Sequence, residues 1–434
     1  MLIKNGRLID PESKRDEVTD ILIKGEFIAK IEKNIHCEAI DEVIDAKGKV
    51  VSPGLIDVHV HFRDPGQTYK EDIQTGSMAA ARGGFTTVVC MANTKPTVDN
   101  KETIEYILNE AKKSPINVLQ TAAVTMNLNG TELVDFELLK SCGAVGFTDD
   151  GFPVMDSGIA KKAMEEARKY NVPISFHEED PSLIYNSGIN HGIISAEMNI
   201  NGALRTAEDV MIARDCVLAL ETGARVNIQH VSSGRAVEII RFAKSLGANI
   251  SAEASPHHFT LTEEAVLKFK TNAKMNPPLR TEEDRLKIIE GLRDGTIDII
   301  ATDHAPHSIE EKEREFLKAP SGIIGLETAL ALGITVLVKN KHLTLIELLE
   351  KLTLNPAKLY SLSTGRVQEG LKADLLIFDP EEKWIVDNFY SKSNNSPFIN
   401  WELTGKVKYT ICSGKVVYKT TEWLIIIKWQ NSNI

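Results

Sequence analysis

The chain has 434 residues, 42% of them hydrophobic and 26% charged, and a formal net charge of −11. That length exceeds one minimal core and suits a large α/β domain with an accessory piece. The acidic balance argues against a nucleic-acid or anionic-membrane surface, since both need basic patches, although a local arginine can still receive an anionic substrate.

In chain order, Met1-Leu2-Ile3-Lys4-Asn5-Gly6 lacks the apolar core of a signal peptide. Strands are predicted over residues 2–9, 20–25 and 27–31, with Asn5-Gly6 and Lys24-Gly25 as turns. Residues 373–378 and 409–418 have the same texture, with Ser413-Gly414 as a hairpin turn. The middle alternates strand and helix. Apolar strand runs fall at 56–60, 86–91, 117–124, 144–148, 173–176, 225–229, 249–252 and 298–301. Helix-period segments lie between most of them, as at 159–170, 203–222 and 233–246, with Gly223 and Gly247 as closing residues. Eight strand runs with intervening helices predict a (β/α)8 barrel over 52–364. Residues 1–51 and 365–434 are expected to form a small β-sandwich domain from both termini. The tail containing Trp423-Leu424-Ile425-Ile426-Ile427-Lys428-Trp429 reads as a last strand or an association surface.

Five cysteines (Cys37, Cys90, Cys142, Cys216, Cys412) are scattered and form no C-x-x-C pair, which fits a reducing compartment. No window reaches the ~18 apolar residues of a membrane span. The expectation is a cytoplasmic protein with no membrane or nucleic-acid partner.

The chemistry gathers where the barrel strands end, the end that carries the active site in this architecture. His59 and His61 alternate at the first strand end, so they share a face. Asn93 follows the second strand and Asp149-Asp150-Gly151 the fourth; His177 ends the fifth, His230 the sixth and Asp303 the eighth, followed by His304 and His307. Four histidines and two aspartates from five strands form a metal-ligand set. Independent capping of each strand by its own histidine would require several coincidences. Imidazole and carboxylate suit zinc, with iron, cobalt or manganese as other fits. The ligands are too many for one tetrahedral ion and suffice for two with a shared carboxylate, a hydrolytic device that lowers the pKa of a bridging water to about 7 and polarises a carbonyl.

The segments 57–63 (Asp-Val-His-Val-His-Phe-Arg) and 301–307 (Ala-Thr-Asp-His-Ala-Pro-His), with Lys312 beyond, resemble the two signatures of dihydroorotase, a member of the amidohydrolase superfamily. Residues 84–91 and 147–151 look like its bacterial class I branch, and the resemblance runs to about Val417. It implies that His59 and His61 hold one zinc and His177 and His230 the other, with Asp150 bridging and Asp303 on the first. Asp303 would be the general base and acid. Arg63, Asn93 and His307 match positions that grip a substrate carboxylate, and Asn276 one that contacts the pyrimidine ring. Within Asp149-Asp150, adjacent residues at a strand end point to opposite sides, and the family pattern favours Asp150 as the bridge. The implied reaction is reversible hydrolysis of dihydroorotate to N-carbamoyl-aspartate in pyrimidine biosynthesis. A homodimer is implied too, with aspartate transcarbamoylase as an optional partner.

Two departures stand out. Ala92 replaces a usual proline before Asn93, which loosens the loop presenting it. Ser321 replaces a large apolar residue before Gly322; substrate contacts from Ser321 and Gly322 are expected from the backbone. His36, His191 and His342 read as surface residues and His257-His258 as packing. The charged run 310–318 reads as a solvated helix or loop, placed where a lid would lie. A hydantoinase or allantoinase would need a carboxylated lysine at the end of strand four, and residues 146–150 contain none. An inactive partner of aspartate transcarbamoylase would have lost ligands, and all six are present.

Overall fold

The computed structural model describes residues 1–36, 40 and 42–420; the tail from 421 onward and Cys37 lie outside the described residues. The chain opens with β1 (Leu2–Asp10), β2 (Arg15–Lys24), β3 (Phe27–Glu32), β4 (Val43–Asp45) and β5 (Val50–Pro53). Eight strands follow: β6 (Leu55–Val60), β7 (Phe85–Cys90), β8 (Asn117–Gln120), β9 (Phe147–Thr148), β10 (Ile174–Phe176), β11 (Val226–Ile228), β12 (Ile250–Ala254) and β13 (Ile299–Ile300). It closes with β14 (Leu375–Ile385), β15 (Glu402–Cys412) and β16 (Lys415–Lys419).

Strands β6 to β13 form the barrel. All neighbouring pairs are parallel, in two ladders, β6-β7-β8 and β9-β10-β11-β12-β13. Parallel bridges Ala122–Phe147 and Val60–His304 join the ladders into a ring. Every residue of β6 and β7 is buried, as expected of strands covered on both faces. The runs at 117–124 and 144–148 are much shorter as strands than their apolar length suggests. Past Gln120 the backbone leaves that ladder: Thr121 N–H still donates to Cys90 on β7, but Ala122 N–H donates to Gly146 and Ala123 N–H to Val98. The helices sit where their punctuation predicts. Asp156 caps Ser157–Lys169 by accepting from Ile159 N–H, Ser233 caps Gly234–Ser245, and Gly223, at φ 64°, ends Thr206–Thr222 in the left-handed region.

Both termini build one sheet in the order β16-β15-β14-β5-β1-β2-β3, with β4 paired to β1. It curls around its own core of Ile3, Leu8, Ile21, Ile28, Leu375 and Ile411. Asn5-Gly6 is not a turn. It forms a register break inside β1 with Asn5 at φ 59°, and the turn to β2 lies at residues 11–14. The dipeptide supplies the same positive φ in either setting, so its sequence does not separate a bulge from a turn. Gly25 and Ser413-Gly414 do occupy the turns expected of them.

The sheet meets the barrel at the starts of β6, β7 and β8. Gly54 N–H donates to Asp374, Asn117 Nδ2 to Asp374 Oδ2 at 3.3 Å, and Cys412 Sγ to Thr86 O at 3.7 Å. The opposite strand ends are left to the loops. Between β14 and β15, residues 386–401 leave the sheet and reach those loops, where Asn395 touches Ala305 and Gly322. Among the described residues no helix is long and apolar enough to cross a membrane.

Candidate metal centre

The four histidines and two aspartates expected at the strand ends meet in one place. Alternation along β6 and into the loop beyond it puts His59 and His61 on one side, with ring centroids 5.3 Å apart. His59 Nε2 lies 3.3 Å from Asp150 Oδ1 and 3.5 Å from Asp303 Oδ1. His61 Nε2 lies 3.4 Å from Asp150 Oδ2 and 3.0 Å from Asp303 Oδ1. Across Asp150, His177 Nδ1 and His230 Nε2 approach Oδ1 at 3.8 and 3.6 Å. Three ligand triads result, each with its donor atoms within 4.8 Å of one another: His59, His61, Asp150; His59, His230, Asp303; and Asp150, His177, His230. Asp150 belongs to two triads on opposite sides.

All six side chains are buried, yet His59 Nε2 and Asp150 Oδ1 have no hydrogen-bond partner. Buried polar atoms left unpaired are costly, and these point at one another's neighbourhood, which is what a cation site requires. Charge is concentrated accordingly. Burial opposes charge on His59, but Asp150 and Asp303 outweigh it and hold the imidazole well above its usual range. Burial likewise opposes charge on Asp150, and His59, His177 and His230 hold its carboxyl well below the usual range.

Asp149 is turned away. Its carboxylate accepts Val124 N–H at 2.7 Å, Thr125 N–H at 3.1 Å and the Thr125 hydroxyl, fastening the loop after β8. Backbone strain also marks the site. Arg63, His230 and Asp303 have φ of 58°, 32° and 48°, a region costing non-glycine residues about 1–3 kcal/mol.

A second layer, invisible as motif, orients the rings. His59 Nδ1 is 3.1 Å from Glu253 Oε2, His61 Nδ1 is 3.0 Å from Asn93 Oδ1, and His177 Nε2 is 3.1 Å from Glu179 Oε2. Glu253 and Glu179 escaped the sequence reading. The available signals were a carboxylate between two alanines in an apolar strand, and an acid two residues past His177. Asn93 Nδ2 also donates to Asp150 Oδ2 at 3.1 Å. The Ala92 carbonyl accepts from Thr94 and Val98 N–H, so this loop is held without the usual proline.

A cavity of about 220 Å³ opens onto the cluster, with Arg63, Asn93, Asn276, His307 and Ser321 in its wall beside the ligand set. Asn276 Oδ1 and Ser321 Oγ have no hydrogen-bond partner. Gly322 is absent from that wall. Its N–H donates to Lys274 and its carbonyl accepts from Lys312 and Asn395, so neither backbone group is left for a substrate. Glycine is needed there because a Cβ would fall 2.6 Å from both Ala305 O and His307 Cδ2. Both His307 nitrogens are engaged, Nε2 with Ser321 O at 2.9 Å and Nδ1 with Lys70 Nζ at 3.3 Å.

Most of the 310–318 run is exposed, as a solvated segment would be, with Lys312 as the exception. Lys312 is buried and donates to Pro320 O at 3.0 Å and Gly322 O at 3.1 Å, and burial lowers its ammonium to about 7. Lys274 Nζ pins the same segment through Phe316 O and Ala319 O, both at 2.7 Å. His36 and His191 are exposed and His342 is partly so. His257 and His258 are buried on the helix Pro256–Thr260, outside the cavity wall.

A parallel barrel closed on itself, with four imidazoles and two carboxylates at its strand ends, is a scaffold for hydrolysis assisted by cations. The amidohydrolase family model matches residues 50–417, and the chain belongs to that family. Within it, the chain is similar to a curated dihydroorotase from Clostridioides difficile (strain 630), 62% identical over 418 residues, 96% of this chain and 99% of that protein. A dihydroorotase from Clostridium acetobutylicum is 56% identical over 421 residues, with 96% and 99% covered. Among solved structures, L-hydantoinase (dihydropyrimidinase) from Arthrobacter aurescens superposes with a TM-score of 0.87 at 28% identity, covering 97% of this chain and 96% of its own.

Proposed function

We propose that this chain is a dihydroorotase, opening the cyclic amide of (S)-dihydroorotate to N-carbamoyl-L-aspartate and closing it again, in pyrimidine biosynthesis. The observation that carries the reading is Asp150, a buried carboxylate whose Oδ1 has no hydrogen-bond partner and which belongs to one group with His59 and His61 and another with His177 and His230, in a chain 62% identical to a named dihydroorotase. A lysine-bridged hydantoinase centre has no counterpart here, because β9 runs into Asp149-Asp150.

In this reading His59, His61 and Asp303 would hold one zinc and His177 and His230 a second, with Asp150 as a ligand common to both. When bound, the cations supply Lewis acidity to the amide carbonyl and make water acidic enough to attack at neutral pH. The chain's own residues do the rest. Asp303, on a strained backbone beside His61, takes a proton from the attacking water and returns it to the departing ring nitrogen. Arg63 offers a planar fork to the substrate carboxylate, and Asn93 stands beside it. Asn276 faces the ring with an unpaired carbonyl oxygen. His307, neutral because burial and then Arg63 and Lys70 disfavour its charged form, closes the wall. The protein works in the cytoplasm as a homodimer; the four cysteines among the described residues are free, in keeping with a reducing compartment.

The test is metal analysis of the purified protein together with assays in both directions, using hydantoin as a competing substrate. About two zinc ions per chain, turnover of both dihydroorotate and N-carbamoyl-aspartate, and loss of both on chelation are expected. Turnover of hydantoin in preference to dihydroorotate would overturn the assignment.

A further inference from the structure

The excursion between β14 and β15 carries Ser391, Ser393 and Asn395, all buried, to the mouth of the barrel. It grips two loops at once. On the loop after β6, Ser393 Oγ donates to Lys70 O at 2.8 Å, Lys392 Nζ donates to Thr68 O at 2.8 Å, and the Ser391 hydroxyl donates to the Glu71 carboxylate. On the loop after β13, Asn395 Nδ2 donates to Ala305 O at 3.0 Å and Gly322 O at 2.9 Å, while Oδ1 accepts His307 N–H at 3.1 Å. One carboxamide thus satisfies three backbone groups around His307. The two loops carry one end of the cavity wall: Arg63 comes from the first, His307 and Ser321 from the second, and behind the wall Lys70 of the first pairs with Glu311 of the second at 3.1 Å. They meet where Lys70 Nζ lies 3.3 Å from His307 Nδ1. An apolar plug would suffice if this arm only filled space. Directional polar contacts to backbone on both sides fix the spacing between the loops instead.

We propose that Asn395, backed by Ser393, is a positioning residue for recognition of the substrate carboxylate. It sets the separation of the Arg63 loop from the His307 loop and so governs how strongly the site prefers an anionic substrate. The inference rests on the dihydroorotase reading above.

The experiment compares kcat and KM for dihydroorotate and for its carboxamide, which has the same ring without the charge. The carboxamide is followed as a substrate or, where its turnover is too slow, as a competitive inhibitor. Asn395→Ala is expected to raise KM for dihydroorotate about tenfold with kcat held within about twofold, leaving the carboxamide nearly unaffected. Ser393→Ala, which removes a single hydrogen bond, shifts the same preference about threefold. Equal losses on both substrates, or an unchanged preference, would overturn the proposal. If Asn395→Ala fails to fold, Ser393→Ala decides by the same criterion. A wild-type protein without turnover of dihydroorotate would instead remove the functional reading, and this inference with it.

Discussion

Glu253 Oε2 sits 3.1 Å from His59 Nδ1, joining the middle of β12 to the end of β6 across 194 positions of sequence. The contact fixes which nitrogen of the ring faces Asp150. The carboxylate is itself held, accepting from Asn227 Nδ2 at 2.5 Å. Partners of this kind raise ligand basicity and lock ring orientation, and their loss typically costs about 10–100-fold in metal affinity. Glu253→Gln should therefore keep the fold and lose bound metal during dialysis against a competing chelator, at a chelator concentration about tenfold or more below that needed for the wild type. Metal content per folded chain is the readout, and equal retention would reduce Glu253 to packing.

Asp303→Asn preserves size and burial while removing the proposed proton carrier. Turnover should fall about 10²–10⁴-fold in both directions, with the far-ultraviolet spectrum unchanged. Near-normal rates in either direction would take Asp303 out of the mechanism.

The adjacent aspartates give opposite outcomes. Asp149→Ala strands the Val124 and Thr125 N–H groups and should destabilise the protein by about 1–3 kcal/mol per unmet group, with metal content per folded chain unchanged. Asp150→Ala should strip metal while costing less in denaturant midpoint. An exchange of these two phenotypes would move the bridging role to Asp149.

Glu327 provides a pH signature away from the centre. Burial pushes its carboxyl up to about 7 despite Arg82 at 2.9 Å. The folded state then binds a proton that the unfolded chain has released above its ordinary value of 4.5. Its contribution to stability is full below pH 4.5 and is lost as pH rises through about 7, at about 1.4 kcal/mol per unit of difference. Thermal midpoints between pH 5 and 8 should fall in the wild type and fall less steeply in Glu327→Gln. Parallel profiles would show that Glu327 is ionised in the fold.

The convergence of the six candidate ligands was legible in sequence because a parallel barrel converts strand order into spatial proximity. His59, His61, Asp150, His177, His230 and Asp303 each follow an apolar run, and the architecture then places all six at one end. Alternation says only that one of Asp149 and Asp150 can face the cluster; the choice of Asp150 came from the family pattern. Glu253 and Glu179 were hidden because a single carboxylate has no spacing to announce its partner. The same holds for Asn395: the arm at 386–401 is neither helix nor strand, and its target loops lie about 70–90 and over 320 residues before it. The packing role of Gly322 was hidden for a related reason. Its glycine identity answers to close approach by His307, which only the packed structure reveals.

The seam of the barrel, where Val60 pairs with His304, has a consequence for how the protein is made. His61 and Asp303 stand 242 residues apart yet share a contact. A nascent chain therefore cannot finish its metal pocket until nearly the whole barrel has left the ribosome, so a truncated product would carry only part of the ligand set. The last side chain of the cluster to be made is Asp303, so a chain cut short before the eighth strand lacks the acid that faces His61.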